Sequence, residues 1–211
     1  MAAIVTCISV SDVEVTVGKL GERGPILITH NGVSGPAVLR LSAWGARALH
    51  EMDYRFALRV NWLPNLNETA LRAEFQSRRE TQPIRRVINS PLSPLPARLW
   101  DKLVVNAGIP AETIWTTLSR TGVNALIRHL RETELEINGK TMNKDEFVTC
   151  GGVSLREINF KTMESRITPG LYFAGELLDF DGITGGFNFQ AAWTTGWIAG
   201  HAMAGIEPTS T

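Results

Sequence analysis

Apolar residues change their spacing twice along these 211 residues, and those two changes limit the fold more than any other feature of the chain. Val13, Val15 and Val17 alternate with Glu14 and Thr16, the two-residue period of a strand with one buried face. From Asn67 to about residue 133 the spacing is helical: Leu71 with Phe75, Leu99 with Leu103 and Val104, then Val123, Leu126, Ile127 and Leu130. Strand-like segments return after residue 134, and one long helix opens near Asn188. This order predicts an α+β fold in which a helical insert interrupts a β-rich domain. The expected boundaries are 1–63 with 134–160 for the β-rich domain, 64–133 for the insert and 161–211 for a C-terminal strand–loop–helix segment.

Within that outline the local signals are specific. Ile4, Val5, Ile8 and Val10 carry the β-branching of a strand, and residues 18–25 read as a turn-rich connection. Ile26, Leu27, Ile28 and Thr29 form an unbroken run, the pattern of a strand buried on both faces. Ser34-Gly35-Pro36 reads as a helix start with Ser34 as cap, and a further strand is expected over residues 54–63. Asn67 followed by Glu68 opens the first helix of the insert, and Pro83, Pro91, Pro94, Pro96 and Pro110 divide the insert into short pieces. Arg78, Arg79, Arg85 and Arg86 cluster there and read as a solvated helix face. Asn138-Gly139 is a two-residue hairpin signal, and short apolar runs follow at 147–149 and 153–155.

Composition excludes several function classes. Lys plus Arg and Asp plus Glu number 21 each, so bulk charge favours neither nucleic acid nor an anionic membrane as partner. No uncharged apolar run approaches the roughly 20 residues of a membrane-spanning helix, and the residues after Met1 do not form a signal segment. A cytoplasmic protein is expected. Cys7 and Cys150 are too few for a disulfide framework and read as buried free thiols. His50, His129 and His201 lack metal-ligand spacing, so no metal site is expected. His30, in Thr-His-Asn-Gly, admits a general acid/base role or a structural one. Ser34 is not a nucleophile elbow, because Pro36 stands where the second glycine should be.

Chemistry concentrates in residues 169–205. An apolar run (Leu171, Tyr172, Phe173, Ala174) meets Gly175-Glu176, then a loop with Asp179 and Asp181, then Gly185-Gly186 at the start of the last helix. The first turn of a helix has unpaired N–H groups and partial positive charge. Two glycines before it either make a tight turn, with Asn188 as a cap, or let a planar or anionic group approach the backbone. Trp193 and Trp197 lie four apart and read as packing anchors.

Two blocks, ILITHNGVSGPAVLRLS at 26–42 and TCGGVSLREINFKTMESRITPGLYFAGELLDFDGITGGFNFQAAWTTGWIAG at 149–200, resemble the second half of the YhiN/BaiN-type bacterial flavoproteins, also described as aminoacetone-oxidase-like. The resemblance extends over essentially the whole chain and is loosest in the helical middle. It implies an FAD-dependent oxidoreductase whose C-terminal segment completes a Rossmann-like FAD domain. In that case Gly175 and Gly185 admit the cofactor close to the backbone, and Glu176 accepts hydrogen bonds from the ribityl hydroxyls, with Asp179 and Asp181 as further candidates. The backbone N–H groups of Gly186, Asn188 and Phe189 face the flavin N1 and C2 carbonyl, where the helix dipole favours negative charge on the reduced ring. The chain departs from the family in one respect. Gly18, Gly21 and Gly24 do not have the G-x-G-x-x-G spacing of an ADP-binding turn, and no other glycine cluster does. The expectation is a C-terminal half that lacks the ADP-binding Rossmann half and is not catalytically competent alone. It would be a fragment, a truncated reading frame or one subunit of a split enzyme. Its expected partners are that missing half or a second copy joined through the C-terminal tail. A non-catalytic interaction module is the alternative from another class.

Overall fold

The computed structural model describes residues 8–140, 150–183 and 185–205. They fall into two compact units divided after Thr141, and the fold is α+β.

The first unit is built on a five-stranded antiparallel sheet. Its strands are β1 (Ile8–Val17), β2 (Leu20–Ile28), β3 (Val33–Ser34), β4 (Arg55–Asn61) and β5 (Thr133–Asn138), in the order β3-β2-β1-β4-β5. In β1 the inward set is Ile8, Val10, Val13, Val15 and Val17, which breaks the two-residue period between Val10 and Val13. A β-bulge there resolves the break: Val10 pairs with Ile26 and Val13 with Gly24, so Ser11 and Asp12 lie opposite Pro25 alone. Proline has no N–H to give the ladder, so the extra residue falls where pairing is already interrupted. Asp12, on the bulge, holds Arg23 at 2.7 Å. That hydrogen bond keeps the Asp12 carboxyl below the usual carboxylate range.

Two expectations for this region are corrected. The connection between β1 and β2 is only Gly18-Lys19, with Gly18 at φ +57°, and residues 20–25 are already strand. β2 is buried on one face only: Ile26 and Ile28 point inward, while Leu27 is 40% exposed. Helix α1 (Pro36–Trp44) packs against β2 and β1 on one face of the sheet, and among the described residues the opposite side chains of β2 are exposed or half-buried. At the start of α1, Pro36 occupies the first turn as expected, but Gly35 is the N-cap and Ser34 makes no capping bond. A short helix α2 (Ala46–Glu51) then leads into β4.

Between β4 and β5 the chain makes the helical excursion, α3 (Glu68–Thr81), α4 (Ala97–Asn106) and α5 (Arg120–Arg131), and returns to pair β5 with β4 from Thr133 to Asn138. The Asn67 side chain accepts from the Ala70 N–H and caps α3 as its sequence position predicts. Trp62, Leu71, Trp100, Leu126 and Leu130 are fully buried, and one continuous hydrophobic core runs from the sheet into the helices. Arg78 and Arg79 do not form a solvated face. Arg78 bonds the Ser90 carbonyl at 2.8 Å and lies over the Trp115 ring, while Arg79 bonds the carbonyls of Trp115 and Leu118. The two guanidinium groups thus supply donors to the carbonyls of Ser90, Trp115 and Leu118 in and beside the Pro-broken segments. The second arm of the hairpin expected at Asn138-Gly139, the run at 147–149 and Cys7 lie outside the described residues.

In the second unit, β6 (Ile158–Asn159) pairs with β7 (Glu164–Ser165), and Tyr172 bridges to Glu164. Val153 exchanges hydrogen bonds with Leu177 and Asp179 at 2.8 and 2.9 Å. Helix α6 (Phe187–Met203) closes the unit. Ile158, Met163, Leu178 and Ala199 form its buried centre. Cys150 is exposed, contrary to the buried thiol expected. No helix among the described residues is long and apolar enough to cross a membrane.

Candidate functional site

The residues singled out at 175–189 lie within the second unit along α6, the loop at 181–182 at its first turn and the turn at 175–176 against its middle. This helix has no acidic residue in its first turn and no side-chain cap. Its N-cap is Gly186 at φ +90°, preceded by Gly185 at φ +137°, conformations that residues with a Cβ rarely adopt. A Cβ at Gly186 would meet nothing within 4 Å, so the backbone there is open on that side. Phe187, Asn188 and Phe189 supply the first helical N–H groups, and Gly186 contributes the carbonyl that accepts from Gln190 at 3.0 Å. With no side-chain cap and no acid within the first turn, the positive end of the helix dipole is not neutralised from inside the helix.

Asn188 was read either as a cap or as a backbone donor, but its side chain does something else. It accepts from the Gly182 N–H at 2.6 Å and donates to the Gly182 carbonyl at 3.1 Å, clasping the Asp181-Gly182 loop to the first turn of the helix. The clasp needs a glycine, because a Cβ at 182 would lie 3.0 Å from both the Asn188 Oδ1 and the Phe187 Cβ. Asp181 is thereby held half-buried at the edge of this loop.

Gly175 begins a 3-10 turn ending at Leu177, with φ +66°. Its N–H donates to the Thr195 hydroxyl at 2.9 Å, and that hydroxyl donates in turn to the Ala191 carbonyl at 2.7 Å. Thr195 thus fastens the Gly175-Glu176 turn to the middle of α6. In the sequence Thr195 reads, with Ala191, Ala192, Gly196, Ala199 and Gly200, as one of the small residues that allow close helix packing; its hydroxyl on that face is the signal for this tie. The Glu176 side chain, next to the fastened turn, is exposed.

His30 is exposed at the tip of the β2–β3 connection in the first unit, whereas residues 175–189 belong to the second. Trp193 and Trp197 are 70% and 51% exposed and do not anchor a core in this chain. With Phe189, 68% exposed and stacked on Trp193 at 6.2 Å, they form an aromatic row at four-residue spacing along one side of α6. No group of three His, Cys, Asp or Glu residues among the described residues is placed to hold a metal ion.

The first turn of α6 thus offers backbone N–H groups and the positive end of a helix dipole. The exposed carboxylate of Glu176 stands on the turn fastened to the middle of the helix, and the half-buried Asp181 lies in the loop clasped to its first turn.

Comparison with known proteins gives a consistent result. The family model described as "HI0933-like protein barrel and H2TH domain" matches residues 5–148. The chain is 34% identical over 175 residues to a protein of Escherichia coli named ribosomal RNA dihydrouridine synthase, covering 83% of this chain and 41% of that one. A Haemophilus influenzae protein of the same name is 34% identical over 173 residues, covering 82% and 40%. A Clostridium scindens protein named 3-dehydro-bile acid delta(4,6)-reductase is 33% identical over 183 residues, covering 87% and 44%. The chain therefore spans less than half the length of these relatives. With a domain model matched over most of its length and three relatives at one-third identity, the chain belongs to the HI0933-like, YhiN/BaiN-type family.

Proposed function

We propose that this chain is the C-terminal, flavin-facing part of a cytoplasmic FAD-dependent oxidoreductase. The observation that carries the reading is the start of α6, an uncapped helix N-terminus opened by two glycines in left-handed conformations and free of first-turn acids. Those features suit the pyrimidine edge of an isoalloxazine ring, whose N1 and C2 carbonyl gain negative charge on reduction. Bound there, the flavin would supply hydride transfer between substrate and acceptor. The chain's own residues do the positioning. Gly186, Asn188 and Phe189 present N–H groups, the Asn188–Gly182 clasp holds the Asp181-Gly182 loop to the first turn of the helix, and Thr195 fixes the turn that carries Glu176. Glu176 and Asp181 are the acceptors for ribityl hydroxyls. That relatives are named a reductase and a dihydrouridine synthase supports the redox class.

The ADP end of FAD has no G-x-G-x-x-G turn to rest on within these 211 residues. Residues outside them would hold it, in the same polypeptide or in a partner. The row Phe189, Trp193 and Trp197 favours such a complement, since an exposed aromatic row of this kind marks an interface. The test is to purify the chain alone and together with the N-terminal segment of the Escherichia coli relative that lies outside the aligned region. Visible flavin absorbance is expected only in the second preparation, and loss of that absorbance with Gly186→Val. Equimolar flavin on the chain alone would overturn the need for a complement. Absence of flavin from both preparations, or full retention by Gly186→Val, would overturn the flavin site.

A further inference from the structure

A second site lies in the helical excursion of the first unit, in a groove of about 400 Å³ between α3 and the start of α5. Its volume falls in the range of small-molecule pockets, roughly 300–1,000 Å³. Phe75 and Trp115 form its base, both buried, with their ring centroids 5.4 Å apart. Arg72, Arg79 and Arg120 line it above them. The undescribed residues 141–149 follow β5, which runs from Thr133 beside Val60 to Asn138 beside Arg55, away from the excursion.

Three groups on this groove lack the partners their chemistry calls for. The Trp115 indole N–H has no hydrogen-bond partner among the described residues, although Trp115 is only 1% exposed. The other buried indoles are satisfied, Trp62 by the Thr133 hydroxyl and Trp100 by the Val87 carbonyl. The Arg120 guanidinium has neither a hydrogen bond nor an ion pair among the described residues. It stands in the first turn of α5, where the helix dipole disfavours a cation and no acid offsets it. Arg79 commits Nε and Nη2 to the carbonyls of Trp115 and Leu118 and meets no carboxylate among the described residues, so its charge is not neutralised. The neighbouring arginines differ: Arg72 pairs with Glu68 at 2.6 Å and Arg78 with Glu74 at 2.7 Å. One further acid stands nearby, Glu80, which accepts from Gln76 on the groove at 2.7 Å.

We propose that this groove binds a phosphate group, with Arg79 and Arg120 as its charged donors and the Trp115 N–H as a third. The donors come from three elements: α3, the Trp115–Thr117 turn and α5. A tetrahedral oxyanion presents oxygens in as many directions, whereas a carboxylate has two in one plane, and guanidinium groups favour phosphate geometry. A free phosphate and a phosphodiester of a polynucleotide share this chemistry. The assignment is independent of the flavin reading, because every residue in it belongs to the first unit.

The experiment is titration of the full chain with inorganic phosphate, followed through the indole N–H signals by proton–nitrogen NMR. The Trp115 signal, identified by its absence in Trp115→Phe, should move saturably, while sodium chloride at equal ionic strength leaves it in place. Arg120→Gln, at an exposed residue, should keep the melting temperature and weaken phosphate by about tenfold, one charge-assisted contact. Arg98→Gln, at an exposed arginine of α4 outside the groove, should change neither. The same titration with oligouridylate separates the two sources. Tighter binding than inorganic phosphate at equal phosphate concentration assigns a polynucleotide, and weaker binding assigns a free phosphate or a phosphate monoester. A Trp115 signal that phosphate does not move, an equal shift with chloride, or undiminished binding in folded Arg120→Gln would overturn the site.

Discussion

The indole N–H of Trp62 donates to the hydroxyl of Thr133 at 2.7 Å, across 71 residues of sequence, with both residues buried. Trp62 is the first residue after β4 and Thr133 the first of β5, so this bond ties the point where the chain leaves the sheet to the point where it returns. The backbone N–H of Trp62 adds a bond to the Leu130 carbonyl at 2.8 Å, and the Thr133 hydroxyl donates onward to the His129 carbonyl. Thr133→Val keeps the shape and orphans the buried indole N–H, which should cost about 1–3 kcal/mol. Trp62→Phe removes the same bond together with part of a fully buried ring and should cost more. Chemical denaturation of both single variants and the double variant checks this. Losses in the double variant that simply add would show that the two residues do not act through this bond.

Arg78 and Arg79 should behave as structural residues. Arg78 reaches the Ser90 carbonyl, pairs with Glu74 at 2.7 Å and covers the Trp115 ring, with only 16% of its side chain exposed. Arg78→Ala leaves the Ser90 carbonyl without that donor and uncovers the ring, for an expected loss of about 1–3 kcal/mol. Arg78→Lys should recover only part, since an ammonium cannot reproduce the fork of the guanidinium. Thermal unfolding of the two variants decides. Equal melting temperatures for the wild type and Arg78→Ala would return the cluster to the solvated surface.

Local chemistry in this chain was legible wherever a residue acts on its immediate neighbours. Asn67 caps α3 from its own sequence position, and the change of period at residue 67 marks the excursion from the sheet. The parity break between Val10 and Val13 also stands in the sequence, but its resolution as a bulge depends on Pro25 in the facing strand. Leu27 looked like core because its neighbours are apolar. Its exposure follows from which face α1 covers, a tertiary choice that no local period contains. Around α6 the glycines and the helix start were readable, whereas the Asn188–Gly182 clasp and the Thr195–Gly175 tie were not. Each joins segments 6 or 20 residues apart through a side chain whose direction only the fold sets. Arg78 and Arg79 look like any exposed helical arginines until the carbonyls of the Pro-broken segments are brought beside them.

Gly152 should be intolerant of substitution, and its neighbour should not. A Cβ at 152 would lie 2.6 Å from the Leu178 carbonyl carbon and 2.7 Å from the Asp179 nitrogen, backbone atoms that cannot move without breaking the Val153 bonds to Leu177 and Asp179. At Gly151 a Cβ meets nothing within 4 Å, and only its φ of +112° resists a side chain. Gly151→Ala should therefore cost about 1–2 kcal/mol of conformational strain, and Gly152→Ala distinctly more. Limited proteolysis of the second unit reads this directly, with faster cleavage expected near Leu177–Asp179 in Gly152→Ala. Identical cleavage in the two variants would show that the Val153 pairing does not hold this turn.

His129, in the last turn of α5, gives the first unit a pH dependence of definite sign. Burial disfavours its charged form and the adjacent Arg128 adds repulsion; together they outweigh the Asn106 backbone hydrogen bond and hold its pKa below the ordinary histidine value of 6.5. A histidine with a lower pKa in the folded state binds its proton more weakly there than in the unfolded chain. Its contribution to stability is complete above pH 6.5 and is lost as pH falls from 6.5 through the folded-state value. Denaturation midpoints measured from pH 8 down to pH 5 should accordingly decline. His129→Gln keeps the backbone carbonyl that accepts from Thr133 and removes the titrating ring, so its decline over the same interval should be shallower. Parallel curves for the wild type and His129→Gln would assign the acid sensitivity to other groups.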